Sequence, residues 1–296
     1  MSVVGTLAVS MSAALGGSIF GKVYSKKSLG KTIMAFVSSA ISALFSALVL
    51  FCWDGLGNVS TFTLLLGILF GVIVATQGVM SLKAVECGPM SYTAVIVSFS
   101  TLVSALSGVA FFGESISVWQ IIGIAFMLTS FVFAVEKDAE KRKASWRWLI
   151  FCLIAFCCCG GVGLMQKIHQ SSEYKGELNA FLVIAFITAC LLMTTLSVVT
   201  SKKEKVSMLA KKDDGKIDWV AILIPVCLGI MAAVNHKLNL YLSGVMPSAV
   251  FFPIVNGGGL VLTTLSAVVL FRERLSGRQW IGVGLGIASV IFLCLG

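Results

Sequence analysis

Ten long apolar runs, arranged as two successive sets of five, are what most limits the fold of this 296-residue chain. They fall at 3–20, 32–52, 62–82, 91–112, 118–135, 147–166, 179–200, 219–242, 248–271 and 279–296. A helix rises about 1.5 Å per residue, so about 20 apolar residues cross a hydrocarbon core of roughly 30 Å. Lipid offers the backbone no hydrogen-bond partners, so each run is predicted to be a helix that closes its own bonds. No alternation of strand length, as a membrane barrel needs, is sustained. Only 12% of the residues are charged, about half the share of a soluble domain. The predicted fold class is an all-α integral membrane protein with ten transmembrane helices.

The charges sort by loop. Of 22 basic residues, 19 lie in alternate loops, including Lys22, Lys26, Lys27 and Lys31 after the first run and Arg272, Arg274 and Arg278 before the last. Lys167 and Lys175 are assigned to the opposite loops, and Lys237 falls inside the eighth run. The positive-inside rule makes the basic side cytoplasmic. Both termini are then predicted to be non-cytoplasmic, in a multi-pass protein of the cell (plasma or inner) membrane. The net charge of +9 is thus a topology signal. A nucleic-acid partner would need a clustered basic face with groove-reading residues, and none is expected.

Nine cysteines suggest neither a metal nor a redox site. Cys157, Cys158 and Cys159 are consecutive, so on a helix they diverge by about 100° each. Cys52, Cys152, Cys190, Cys227 and Cys294 fall in apolar runs, where a thiol packs as a small hydrophobe. No metal, and no cofactor, is predicted. The first run lacks a basic leader and an evident cleavage site, and is read as a retained helix.

Sliding the chain by 159 positions aligns Phe111–Phe133 with Leu270–Phe292. Phe112, Glu114, Ser117, Gln120, Ile122, Gly123, Ser130 and Phe133 then meet Phe271, Glu273, Ser276, Gln279, Ile281, Gly282, Ser289 and Phe292. Apolar helices match readily by chance; a polar corner of Glu, Ser and Gln in register does so far less often. Pro89 and Pro247 open the fourth run of each set, and Gly16–Gly17 echoes Gly160–Gly161. The predicted organisation is a first five-helix repeat (1–135), a basic cytoplasmic linker (136–147) and a second five-helix repeat (148–296). Five is odd, so the second repeat enters the membrane from the opposite side. Inverted repeats recur in secondary transporters, with the site near the bilayer midplane between halves.

This layout resembles the drug/metabolite transporter superfamily, in its ten-helix EamA-like branch. The resemblance rests on the five-plus-five halves and on the two corners Phe112-Gly113-Glu114-Ser115-Ile116-Ser117 and Phe271-Arg272-Glu273-Arg274-Leu275-Ser276, and it covers essentially the whole chain. It implies alternating access through a central cavity between the repeats. It also implies cytoplasmic termini and a more basic first corner, and here the loop charges point the other way.

Polar residues at membrane depth are costly and hence are candidate site residues. Asn235, His236, Lys237 and Asn239 lie in the eighth run, with Asn235 and Asn239 four apart on one face. Gln77 holds the equivalent place in the third run. Pro253 and Asn256-Gly257-Gly258-Gly259 fall at mid-depth of the ninth run and are expected to interrupt its helix. The predicted solute-binding residues are therefore Gln77, Asn235, His236, Lys237, Asn239, Asn256, Gly257 and Gly258, with no catalytic residues. Plain readings stand beside these: Lys237 snorkelling to headgroups, His236 packing, glycines allowing close helix contact. Glu114 and Glu273 read as helix caps.

All thirteen acidic residues fall in loops or at run ends. A bare organic cation would lack a counter-charge at mid-depth. The expected function is a secondary transporter or facilitator of a small polar metabolite such as an amino acid or a related carboxylate or hydroxylated solute. A proton is the candidate coupling ion, through His236. The alternatives are an exporter of small organic cations or drugs and, in another class, a non-transporting membrane adaptor or receptor. An intramembrane enzyme is not expected, because no catalytic groups converge. Partners are the solute and the lipid bilayer, and both a monomer and a dimer remain open.

Overall fold

The structure is a computed structural model describing residues 2–27, 32–134, 145–208, 218–272 and 274–295. Among them are eleven α-helices, one short 3-10 turn at Lys175–Glu177, and no strand. The helices are α1 (Val3–Lys27), α2 (Thr32–Asp54), α3 (Thr61–Cys87), α4 (Met90–Ser98), α5 (Ser100–Phe112), α6 (Val118–Ala134), α7 (Trp146–Gln170), α8 (Leu178–Glu204), α9 (Val220–Val245), α10 (Ser248–Phe271) and α11 (Gly277–Leu295). With α4 and α5 counted as one crossing, nine apolar helical segments among the described residues are long enough to span a bilayer. The tenth, α6, has 17 residues and a length of about 25 Å. The chain is an all-α, multi-pass membrane protein. Most of the predicted linker (136–147) and Glu273 lie outside the described residues.

The tryptophans mark the helix ends. Trp53, Trp119, Trp146, Trp148, Trp219 and Trp280 all lie within about a turn of a helix terminus, and all but Trp148 are exposed. Indole is amphipathic and settles at the membrane–water boundary, so this placement agrees with helices whose ends meet the headgroups.

The two corners singled out by the 159-residue offset are built alike. Ser117 N–H donates to Gln120 Oε1 and Gln120 N–H to Ser117 Oγ, at 3.0 and 3.1 Å. Ser276 and Gln279 repeat this reciprocal cap at 2.9 and 3.3 Å. Each satisfies orphan donors at a helix start. The helix before each corner ends in a left-handed residue, Gly113 (φ 65°) and Arg272 (φ 53°). Glycine enters that region without a steric penalty, whereas arginine does not.

Contacts divide the chain into two compact units, and neither coincides with a sequence half. The first comprises residues 1–75 and 172–241; the second comprises 76–171 and 242–296. In the first, α2 packs along α8. Asn179 at the start of α8 donates to Leu50 O and Gly55 O at the end of α2 (2.9 and 2.5 Å), so the two helices run antiparallel. The amino-terminal part of α3 lies against α8. A Cβ on Gly71 would stand 2.4 Å from Ala185 O, so only glycine permits this approach. Ser46 Oγ donates to Gly229 O (2.9 Å), joining α2 to α9.

In the second unit α6 packs along α11. Ser130 Oγ donates to Gly282 O and Ser289 Oγ to Gly123 O, both at 2.7 Å. The carboxy-terminal part of each helix thus meets the amino-terminal part of the other. Trp148 Nε1–H donates to Thr93 Oγ1 (2.8 Å), fixing the start of α7 beside α4.

The expected interruption of the ninth span does not occur. Helix α10 is continuous from Ser248 to Phe271 with Pro253 inside it. Pro253 falls in the second turn, where one missing donor is tolerated, and Gly257 serves close packing: its Cβ position is 3.1 Å from Met127 Cγ. The break lies instead in the fourth span, at Phe99 between α4 and α5. There Leu102 N–H reaches back three residues to Phe99 O (3.0 Å), a 3-10 tightening.

Candidate functional site

The sequence-predicted residues fall into two groups. Asn235, His236, Lys237 and Asn239 belong to the first unit; Gln77, Asn256, Gly257 and Gly258 belong to the second.

On α9, Asn235 and Asn239 share one face, and that face is spent on α1. Ser10 Oγ donates to Asn239 Oδ1 (2.5 Å). Asn235 Nδ2 donates to Ser10 O (3.0 Å), and Asn239 Nδ2 donates to Asn235 Oδ1 (3.2 Å). A closed polar triangle of this kind clips two helices together. His236 points elsewhere, edge-on to the rings of Phe70 and Phe186, with centroids 6.4 and 5.3 Å away. Its Nδ1 is buried and has no hydrogen-bond partner among the described residues. A buried nitrogen without a partner costs free energy, so it is a place where a solute or water gains by entering.

Lys237 lies about two turns inside α9 and reaches the end of α2. Its ammonium pairs with Asp54, the last residue of α2, and sits 4.1 Å from the centroid of the Trp53 ring. Ion pair and cation–π contact together hold the charge beside the end of α2. Beside them opens a cleft of about 630 Å³ between the α2–α3 loop and the segment that begins α8.

In the second unit, Gln77 is half-buried on α3, and among the described residues it makes only a long contact (3.5 Å) to Ser81 Oγ. Asn256 is exposed midway along α10, while Gly257 and Gly258 are buried beneath it. A carboxamide in the middle of a helix with no partner among the described residues is a candidate for solute contact.

Two charged groups, Lys167 and Glu114, are placed otherwise than the sequence suggests. Lys167, assigned above to a loop, lies inside α7 and is buried. Its Nζ pairs with Glu114 Oε1 (2.6 Å) and donates to Ser243 O and Met246 O (3.1 and 3.2 Å). Glu114 does cap a helix, but not that of its own corner: its Oε2 accepts from Ser248 N–H (2.7 Å), the first residue of α10. The carboxylate meets the positive end of α10 and a lysine at once, and both partners lower its energy. The sequence signal was present in Gly108, whose Cβ would stand 2.0 Å from Glu114 Oε2, but a lone glycine does not name its neighbour.

Comparison with protein-family models and with curated proteins finds no match. Among solved structures, the chain is similar to a protein of known crystal structure with a TM-score of 0.73 at 15% identity, over 99% of this chain and 98% of that one. At that identity the likeness speaks for the fold alone.

Proposed function

We propose that this chain is a secondary transporter or facilitator of a small polar solute, built from two inverted five-helix repeats (1–135 and 148–296) and working by alternating access. The observation that carries the reading is the reciprocal pair Ser130 to Gly282 and Ser289 to Gly123. Both donors and both acceptors are related by 159 residues, so each bond is the image of the other. Two antiparallel helices that exchange identical bonds are what a two-fold axis in the membrane plane produces. The equivalent caps at Ser117–Gln120 and Ser276–Gln279 support the same relation.

Such symmetry gives function a physical basis. Two halves of one fold can each adopt either of two shapes at similar energy, and exchanging the shapes moves an opening from one side of the membrane to the other. The drug/metabolite transporter resemblance, the plasma or inner membrane location and the non-cytoplasmic termini belong to this proposal. Among the described residues, His236 Nδ1, buried without a partner, and the exposed Asn256 are two of the polar groups available to a solute. The test is uptake by vesicles reconstituted with the purified chain, across a panel of labelled amino acids, organic acids, sugars and organic cations. Saturable, protein-dependent uptake of at least one polar solute is expected. Folded protein that moves none of them overturns the proposal.

A further inference from the structure

The cleft beside Lys237 has the chemistry of a binding site. Its polar lining comprises two carboxylates (Asp54, Glu177), two ammonium groups (Lys175, Lys237) and two carboxamides (Asn58, Asn179). The formal charges cancel, so a simple cation or anion entering it would leave one sign uncompensated. A volume of about 630 Å³ lies within the range of small-molecule sites.

Its walls are held in place. Two left-handed glycines, Gly55 (φ 66°) and Gly57 (φ 59°), turn the chain sharply after α2. Glu177 accepts from both Ser60 N–H (2.9 Å) and Ser60 Oγ–H (2.8 Å), which fixes one wall to the start of α3. Asn179 spends its amide hydrogens on Leu50 O and Gly55 O, and its Oδ1 is buried with no partner among the described residues. Asp54 engages Lys237 through Oδ2, and its side chain is 55% exposed. Water reaches the pair from the Asp54 side, which weakens it and lets that carboxylate exchange partners.

We infer that this cleft binds a zwitterionic solute of α-amino-acid type, its ammonium on Asp54 and Asn179 Oδ1 and its carboxylate on Lys237. Binding replaces one internal ion pair by two ion pairs and one charge-assisted hydrogen bond, and leaves the net charge of the cleft unchanged. As a substrate or regulatory site the cleft rests on the transport reading, but binding itself does not require transport.

The experiment uses the full chain in detergent. Each of the twenty common α-amino acids is screened for a shift in unfolding temperature, and the strongest is taken to equilibrium binding. Its carboxyl-blocked amide and its N-acetyl derivative are compared with it. Blocking either end is expected to weaken binding at least about tenfold, the value of a hydrogen bond to a charged group. Lys237→Gln is expected to weaken the amino acid and the N-acetyl form but not the amide. Asp54→Asn is expected to weaken the amino acid and the amide but not the N-acetyl form. A merely structural role would weaken all three ligands alike. No binding by any zwitterion, or equal losses across the three ligands, overturns the inference. Saturable uptake by a protein whose cleft shows no such binding pattern sinks the cleft and leaves the transport reading standing. Binding in this pattern by a protein that transports nothing does the reverse.

Discussion

Two lysine–carboxylate pairs, one in each compact unit, use the same chemistry under different conditions. In the second unit Lys167 and Glu114 are 9% and 16% exposed, and every donor of the ammonium has an acceptor. In the first unit Lys237 and Asp54 are 14% and 55% exposed, and one carboxylate oxygen is left to solvent. The buried pair ties the α5–α6 corner, the end of α7 and the start of α10 together, and neither member can leave without stranding the other. The exposed pair ties only the end of α2 to α9, and beside it lies an open cleft. Enclosure and the count of satisfied partners, more than the charges, separate a fastener from a group free to meet a ligand.

The largest expected effect comes from breaking the buried pair on one side. Lys167→Ala strands Glu114 in a dry setting, and a loss of about 3–5 kcal/mol is expected. Thermal unfolding in detergent reads it, and a loss under about 1 kcal/mol would show that water already reaches the pair. The double variant Glu114→Gln/Lys167→Met removes both charges and keeps an acceptor for Ser248. It is expected to regain at least half of that loss, since neutral replacement of a buried pair is often tolerated. Gly108→Ala probes the same carboxylate by space alone. The new methyl would displace Glu114 from Ser248 N–H, at a cost of about 1–3 kcal/mol. The smallest effect on stability is expected for Lys237→Gln, about 1 kcal/mol or less. Should that variant unfold as readily as Lys167→Ala, the contrast between the two pairs fails.

Hydropathy made the helices legible because a bilayer imposes length and polarity together. The run at 219–242 became α9 at Val220–Val245, and the run at 179–200 became α8 at Leu178–Glu204. The overhangs carry residues such as Lys202 and Lys203, whose charges end an apolar run before they end a helix. Lys167 was misread for the same reason. Its partner Glu114 is 53 residues away, and only packing reveals that the charge is matched inside the fold. Pro253 misled in the other direction, since a proline early in a helix needs no break, while the actual break at Phe99 has no proline or glycine beside it. Of the candidate site residues, Asn235 and Asn239 were correctly placed on one face, but their bonds go to Ser10. The sequence could not show this, because an asparagine that clips helices and one that binds a solute are the same letter. The 159-residue offset was the most productive signal. It marked Ser130, Ser289, Gly123 and Gly282 before any contact among them was known.

Counterflow in reconstituted vesicles tests the proposed alternating access most directly. Vesicles preloaded with an unlabelled transported solute and diluted into a trace of the labelled form should accumulate label transiently above its outside concentration, because each inward return of the site follows an outward exit. Simple equilibration without such an overshoot, with folded protein present, would contradict a site that faces the two sides by turns.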